Sequence, residues 1–292
     1  MAAQAASIAV IGGSGLYNMP GITDRETIKV TTPYGDPSSD IVLGTLAGKR
    51  IAFLARHGIG HVYTPTTVPY RANIYALKQL GVRFIIAVSA CGSLREDYAP
   101  GHIVIPDQVF DNTKSERGGR TFFETGLVVH VSVAEPFSPE LNGVLHKAVS
   151  DAGGTVHNGG TFITIEGPRF STKGESEIFR SWGCSIIGMT TSPEAYLARE
   201  AEIAYGVIAH ITDYDVWHDT EEPVTVDMVI RTLQKNVETV KKAVALAVER
   251  LDITAEYAAH NALKDALITD RAHVDTIQLD RLRAIIGRYF AP

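Results

Sequence analysis

Short apolar runs alternate along the chain with longer segments of helical periodicity, the pattern of a sheet covered by helices on both faces. The first run, Ser7–Ile11, ends in Gly12-Gly13-Ser14-Gly15. Ile41–Leu46 and Arg50–Ala55 flank an Ala47-Gly48-Lys49 turn and predict a hairpin, which makes the sheet mixed. Val68–Leu80 has helical spacing and stops at Gly81, a residue suited to the position after a helix end. Phe84–Val88 is apolar throughout, as in a strand buried on both faces, and Leu127–Val133 predicts another strand. Ser138-Pro139-Glu140 and Ser192-Pro193-Glu194 each supply a capping hydroxyl, a proline at the first helical position and an acid in the first turn. Thr225–Leu251 is the longest helical stretch, and Ile277–Tyr289 predicts a terminal helix.

One run stands apart. Ala204–Trp217, AYGVIAHITDYDVW, reads as a buried strand that delivers Asp213 and Asp215 where its apolar pattern stops. In open α/β sheets the carboxyl ends of strands diverge into the crevice where ligands bind. If the extended conformation persists past Ile211, both carboxyls face one way. Two carboxyls on one small site do not ionise independently, so one has a raised pKa and can donate a proton near neutral pH. The alternative is an Asp-rich turn in which one of the acids caps a turn amide.

Composition narrows what such a crevice belongs to. With 292 residues, 45% hydrophobic and 21% charged, the chain can bury a large core and lies near the upper size of one α/β domain. The expected architecture is α/β: one domain, residues 1–251, with a central mixed, largely buried β-sheet flanked by helices. Residues 252–292 are expected to form a helical extension packed on it. A formal net charge of -6 gives no general attraction for nucleic acid or an anionic membrane, so a phosphate-bearing ligand must be held by local groups. The two cysteines, Cys91 and Cys184, are too few for a disulfide framework, and no Cys/His cluster has metal-ligand spacing. No basic-then-apolar leader opens the sequence and no apolar run approaches the roughly 18 residues of a membrane span, so a cytoplasmic protein is expected.

Other strand ends carry candidate chemistry. The glycines around Ser14 let backbone amides and a hydroxyl approach an anion, or simply form a turn. Arg56 and His57 follow the Arg50–Ala55 run and supply donors suited to phosphate, or a solvated basic turn. Ser89-Ala90-Cys91-Gly92-Ser93 offers a hydroxyl and free amides at the end of the 84–88 run. Within Thr164–Ser171, TIEGPRFS, Phe170 can stack on a flat ring, and Met189 of Gly188-Met189-Thr190-Thr191 can pack on a sugar face; either can equally be core. Glu166 and Arg169 can pair across their turn. Anion donors, apolar faces and paired acids together make the inventory for a nucleoside plus phosphate.

The segments IGGSGLY (11–17), TPYGDPS from Thr32, LARHG from Leu54, SACGSLRE from Ser89, AEPF from Ala134, TIEGPRFST from Thr164, GMTTSPEA from Gly188 and TDYDVW from Thr212 resemble the trimeric purine nucleoside phosphorylase family. The likeness runs from about residue 7 to residue 250, and the residues from about Asp252 onward are unmatched. It implies a nucleoside phosphorylase-like fold and activity on 5′-methylthioadenosine, with inorganic phosphate as co-substrate and no other cofactor. A 6-oxopurine nucleoside phosphorylase and a non-catalytic nucleoside-binding protein are the competing readings. By resemblance, phosphate is held by Ser14, Arg56, His57, Ser89, the Ala90 amide and Thr190. Met189 lies under the ribose, and Phe170 and Ser171 flank the purine. Asp213 and Asp215 hold the base edge, with Asp213 as the proton donor. His61 and Val226 line the 5′ pocket, which His130 of a neighbouring subunit completes in a homotrimer. Both acids are retained where relatives preferring 6-oxopurines carry asparagine nearby, which favours the adenine nucleoside.

Overall fold

A computed structural model of the chain describes residues 6–13, 16, 19–218 and 226–290. Its first strand, β1 (Ile8–Gly12), is buried along its whole length and lies between two parallel neighbours. On one side is β4 (Lys49–Ala55), which forms the expected antiparallel hairpin with β3 (Ile41–Leu46). The edge beyond is β2 (Thr23–Ile28), an exposed TDRETI strand whose charges suit an unpaired edge. On the other side of β1 is β5, which runs from Phe84 not to Val88 but to Ser93.

The remaining strands are β6 (Ile103–Ile105), β7 (Gln108–Asn112), β8 (Val156–Asn158), β9 (Thr161–Ile165), β10 (Cys184–Gly188) and β11 (Ala204–Asp213). Among the described residues they join one mixed sheet, in which β11 runs parallel to β5 from Ala204↔Phe84 to Asp213↔Gly92. That pairing occupies one edge of β5. Along the other, β1 pairs as far as Ala87, and β10 joins only at Gly92 and Ser93. Residues 88–91 are therefore left on an open edge where two neighbours part. Strand order also reverses beside β1, so this is a topological switch point, where a ligand crevice forms.

Alternation along the central strands builds a core on each face. Ile11, Leu54, Ile85 and Ile211 face α1 (Tyr70–Gln79) and α4 (Thr191–Glu200); Val10, Phe53, Ile86 and Ile208 face α2 (Pro139–Asp151) and α5 (Val226–Arg250). Helix α1 ends as its sequence predicts, with Gly81 at φ +83°. Ser138 caps α2 by accepting from the Leu141 N–H. Helix α3 (Lys173–Ser181), unannounced by the apolar pattern, carries a full capping box between Thr172 and Glu175.

Two expected elements differ. No strand forms over Leu127–Val133. Its alternation is real, with Leu127 buried and Val128 and His130 exposed, but the extended segment touches the C-terminal region through a single bridge, Val129↔Leu267, instead of entering the sheet. The terminal helix is two helices, α6 (Thr276–Arg281) and α7 (Arg283–Phe290). At the break the Tyr75 hydroxyl donates to the Arg281 carbonyl at 2.8 Å and accepts from the Ala284 N–H at 3.4 Å, replacing a helical bond.

Residues 251–290 pack back on the sheet and α1. Leu282, Ile285 and Ile286 enter the core, and Arg83 donates to the Ile253 and Ala255 carbonyls at 2.7 and 3.0 Å. Buried Glu202 accepts from the Leu263 N–H, the Tyr289 hydroxyl and Arg288 at 3.0, 2.5 and 2.7 Å. Glu202→Leu should cost about 1–3 kcal/mol, because it strands the buried Leu263 N–H. Denaturant melts of the two proteins measure this, and an unchanged midpoint would show that Glu202 does not help to hold the extension.

Candidate active site

The open edge of β5 forms one wall of a cavity of about 900 Å³ that gathers residues from most of the strand ends. Gly13 from the β1 turn, Arg56 and His57 after β4, Ser89 and Ala90 of β5, Phe170 and Ser171 after β9, Met189 and Thr190 after β10, and Asp213 and Asp215 at β11 all line it, as does His61. Ser14 lies outside the described residues. Val226 opens α5, with its side chain outside them too.

Asp213 is the last residue of β11 and sits where Gly92 makes room for it; a Cβ on Gly92 would lie 2.8 Å from Asp213 Oδ1. Its Oδ1 accepts the Asp215 N–H at 2.8 Å, and its Oδ2 accepts the Thr212 hydroxyl at 2.6 Å. The turn-capping role and the site role thus fall on one side chain. Burial pushes its carboxyl up to about 6, with the Asp215 charge adding to the rise and the two donors opposing it. Thr212 has a single proton and a second acceptor, the Cys91 carbonyl at 3.2 Å. With no ligand bound, a protonated Asp213 can donate to Thr212 Oγ1 while Thr212 donates to Cys91; when that proton goes to a ligand, Thr212 donates to Oδ2.

Asp215 reaches the same cavity by a different route from strand alternation. The strand ends at Asp213, and Asp215 turns inward with φ +54°, a left-handed conformation that Asp tolerates better than most residues. Burial raises its carboxyl as well, moderated by the Ser176 and Ser171 hydroxyls; Ser171 donates at 3.2 Å.

At the opposite end of the cavity the cations are less free than their types suggest. Arg56 is buried and its planar fork is taken, with Nε and Nη2 donating to Glu194 Oε2 and Oε1 at 2.7 Å each. Its Nη1 donates to the Val88 carbonyl at 3.0 Å. His57 is neutral at physiological pH, because burial and the neighbouring Arg56 charge push it down to about 4. The Tyr63 carbonyl, 2.9 Å from Nδ1, can only accept, so Nδ1 carries the proton and Nε2 is left as an acceptor. His61 stacks on the ring at 4.3 Å. The hydroxyls of Ser89 and Thr190 and the amides of the open β5 edge complete this end; Thr190 begins α4 without a side-chain capping bond.

Between the two ends, Phe170 is 38% exposed and Met189 half-buried, so both face the cavity and neither is core. Their loops are fastened by Arg117, a buried residue that no sequence signal marked. It donates to the carbonyls of Met189, Ser192 and Ile165 at 2.6, 3.1 and 3.1 Å, and to Glu166 at 3.1 Å. Glu166 does not pair with Arg169. Its partial burial acts to raise the carboxyl, yet the Lys114 and Ser115 N–H groups and nearby hydroxyls hold it down at about 2, while Arg169 pairs with Glu175 at 2.6 Å.

This arrangement has counterparts. Residues 7–249 match the family described as the phosphorylase superfamily. The chain belongs to that superfamily. An S-methyl-5′-thioadenosine phosphorylase from Chloroflexus aurantiacus is 53% identical over 99% of this chain and 100% of its own. The crystal structure of a methylthioadenosine phosphorylase from an antarctic soil metagenomic library superposes with a TM-score of 0.92 at 48% identity, covering 97% of this chain and 99% of the other. A Schistosoma mansoni adenosine/methylthioadenosine phosphorylase variant in complex with methylthioadenosine gives 0.81 at 35% identity, over 89% and 96% of the two chains.

As a superfamily member the chain has features its sequence reading missed. Ser192 holds the predicted position before the regular part of α4, but its hydroxyl is turned to another partner. Its backbone is extended, at φ -101° and ψ 133°, so the regular helix does start at Pro193 as the sequence predicts, but its hydroxyl donates to Asp111 at 2.6 Å. Glu194 is not only a first-turn acid but the partner of Arg56. Pro65, His210, Thr212 and Lys241 also line the cavity. His130 does not: it is exposed, and its N–H donates to the Ala266 carbonyl. Among the described residues no group of three or more His, Cys, Asp or Glu is placed to hold a metal ion.

Proposed function

We propose that this chain catalyses phosphorolysis of 5′-methylthioadenosine to adenine and 5-methylthioribose 1-phosphate, the substrate named for its relatives. The observation that carries the assignment of roles is the pairing, in one cavity, of Asp213, whose carboxyl burial raises to about 6, with a wall of neutral anion donors around Ser89 and Ala90. A 6-aminopurine presents N7 as an acceptor and its amino group as a donor. Protonated Asp213 donates to N7, and a carboxylate oxygen of the Asp213–Asp215 pair accepts from the amino group. A 6-oxopurine offers an acceptor there instead, which two acids serve poorly.

Phosphate lies against Ser89, the Ala90 amide, Thr190, Arg56 and His57, with Ser14 as a further hydroxyl. The C1′–N9 bond breaks with its electrons moving into the purine, the proton passes from Asp213 to N7, and a phosphate oxygen bonds to C1′ from the opposite face. His57 Nε2, being an acceptor, takes a hydrogen bond from the hydroxyl of hydrogen phosphate. Met189 packs on the ribose, Phe170 stacks on the purine, and His61 and Val226 border the 5′-methylthio group. All of the chemistry falls to side chains, amides and phosphate itself, without a resident cofactor.

We read the working form as a cytoplasmic homotrimer. His130 faces away from its own cavity, and Val128 and Val133 beside it are 48% and 39% exposed, which suits a segment that seats against a second copy and brings His130 to the neighbour's 5′ pocket. Among the described residues no helix is long and apolar enough to cross a membrane.

Adenine release from methylthioadenosine should require phosphate, and methylthioadenosine should be used far better than inosine. Release at equal rates with and without phosphate would sink the phosphorylase assignment, and a preference for inosine would favour a 6-oxopurine enzyme. Tight binding of methylthioadenosine with no product would indicate a nucleoside-binding protein.

A further inference from the structure

Behind the anion end of the cavity lies a buried polar chain that the chemistry above does not use. Tyr205, the second residue of β11, donates through its hydroxyl to Glu194 Oε1 at 2.8 Å. Glu194, 1% exposed, holds Arg56 by two parallel bonds. Arg56 lines the cavity, whereas neither Tyr205 nor Glu194 does. We propose that Tyr205 and Glu194 are positioning residues for phosphate, fixing the rotation of the Arg56 guanidinium so that the N–H groups left over meet the anion in a single orientation.

A guanidinium has five N–H bonds. Two go to Glu194 and one to the Val88 carbonyl, which leaves one on each Nη. A side-on bidentate pair also sets the plane of the group. Without Glu194, a buried arginine would turn toward whatever acceptors remain, and its free donors would no longer be fixed relative to Ser89 and Thr190. The Tyr205 hydroxyl holds Glu194 in turn, at one of the two oxygens that Arg56 uses. Glu194 opens α4 four residues after Thr190, so the pair also ties the β4 end to the loop that supplies Thr190 and Met189.

This inference rests on Arg56 contacting phosphate, and three variants separate the two ideas. Arg56→Gln tests the contact itself and should raise the phosphate KM at least 100-fold. Glu194→Gln, which keeps an acceptor but loses the charge and one of the two parallel bonds, should raise it at least 10-fold. Tyr205→Phe, which removes one hydroxyl remote from the cavity, should raise it about 3–10-fold. In all three the KM for methylthioadenosine should stay within about twofold, a split that a general loss of packing does not produce. If Arg56→Gln leaves the phosphate KM unchanged, the contact and the inference both fall. If Arg56→Gln raises it while Tyr205→Phe, folded with an unaltered Tm, does not, the contact stands and the positioning role is refuted.

Discussion

Asp213→Asn should lower kcat with methylthioadenosine by the order of 10²-fold or more, the usual scale of general acid assistance to a leaving group, without loosening the fold. An asparagine fits the existing bonds: its Oδ1 can accept the Asp215 N–H, and its amide can donate to Thr212, which keeps donating to the Cys91 carbonyl. The pH dependence provides the sharper test. With the carboxyl held at about 6 in the folded chain, the proton-donor form is complete below that value and is lost above it. The alkaline limb of kcat/KM should therefore descend from about pH 6 in the native protein and lose that component in the variant. The sign for stability follows from the same shift. Between the ordinary carboxyl value of 3.8 and about 6 the folded state binds the proton more tightly than the unfolded chain. Unfolding free energy then falls as pH rises through this window and levels off above it. The Asn variant, with nothing to ionise, should melt no lower than the native protein at pH 8. A near-normal rate would rule out the donor role, and a collapsed Tm would mean that activity was lost through the fold.

Arg117→Met should be strongly destabilising, because three carbonyls lose a common donor and each buried group left unpaired costs about 1–3 kcal/mol. Methionine fills much of the same space but donates nothing, so the carbonyls of Ile165, Met189 and Ser192 lose this donor together, while Glu166 Oε1 keeps the Thr66 and Ser115 hydroxyls. Ile165 and Met189 line the cavity, so the damage should also appear as a rise of 10-fold or more in the KM for methylthioadenosine. Thermal melts and steady-state kinetics check the two parts separately. A melting temperature within a degree of the native value would show that the Met189 and Phe170 loops are held by packing and not by this guanidinium.

What the sequence disclosed and what it concealed follow from the range of the interactions involved. Strands such as Ile8–Gly12 and Ala204–Asp213 are legible because burial on both faces demands an unbroken apolar run. The Val226–Arg250 and Pro139–Asp151 helices are legible because periodicity and caps are local. The short strands Ile103–Ile105 and Val156–Asn158 are too brief to carry a pattern; the first exists because it pairs with β11 and the second because it pairs with the first. Strand ends pointed to Arg56, Ser89 and Asp213, yet nothing local tells that Arg56 meets an acid 138 residues away, or that Arg117 collects carbonyls from two distant loops. Both acids of the Asp pair were found through an alternation argument that holds only for the first; the second arrives through a left-handed turn that only the folded backbone reveals.

The open edge of β5 has a bearing on how such a protein changes over time. Where β1 has left and β10 has not yet joined, the wall of the crevice is main chain, and main-chain amides survive almost any substitution. The choice of leaving group, by contrast, is assigned in the proposed mechanism to a few replaceable side chains at Asp213, Asp215, Phe170 and Met189. A scaffold divided in this way holds its nucleophile constant while its taste in nucleosides drifts, so new substrates are reached by exchanging one half of the pocket and leaving the other as it was.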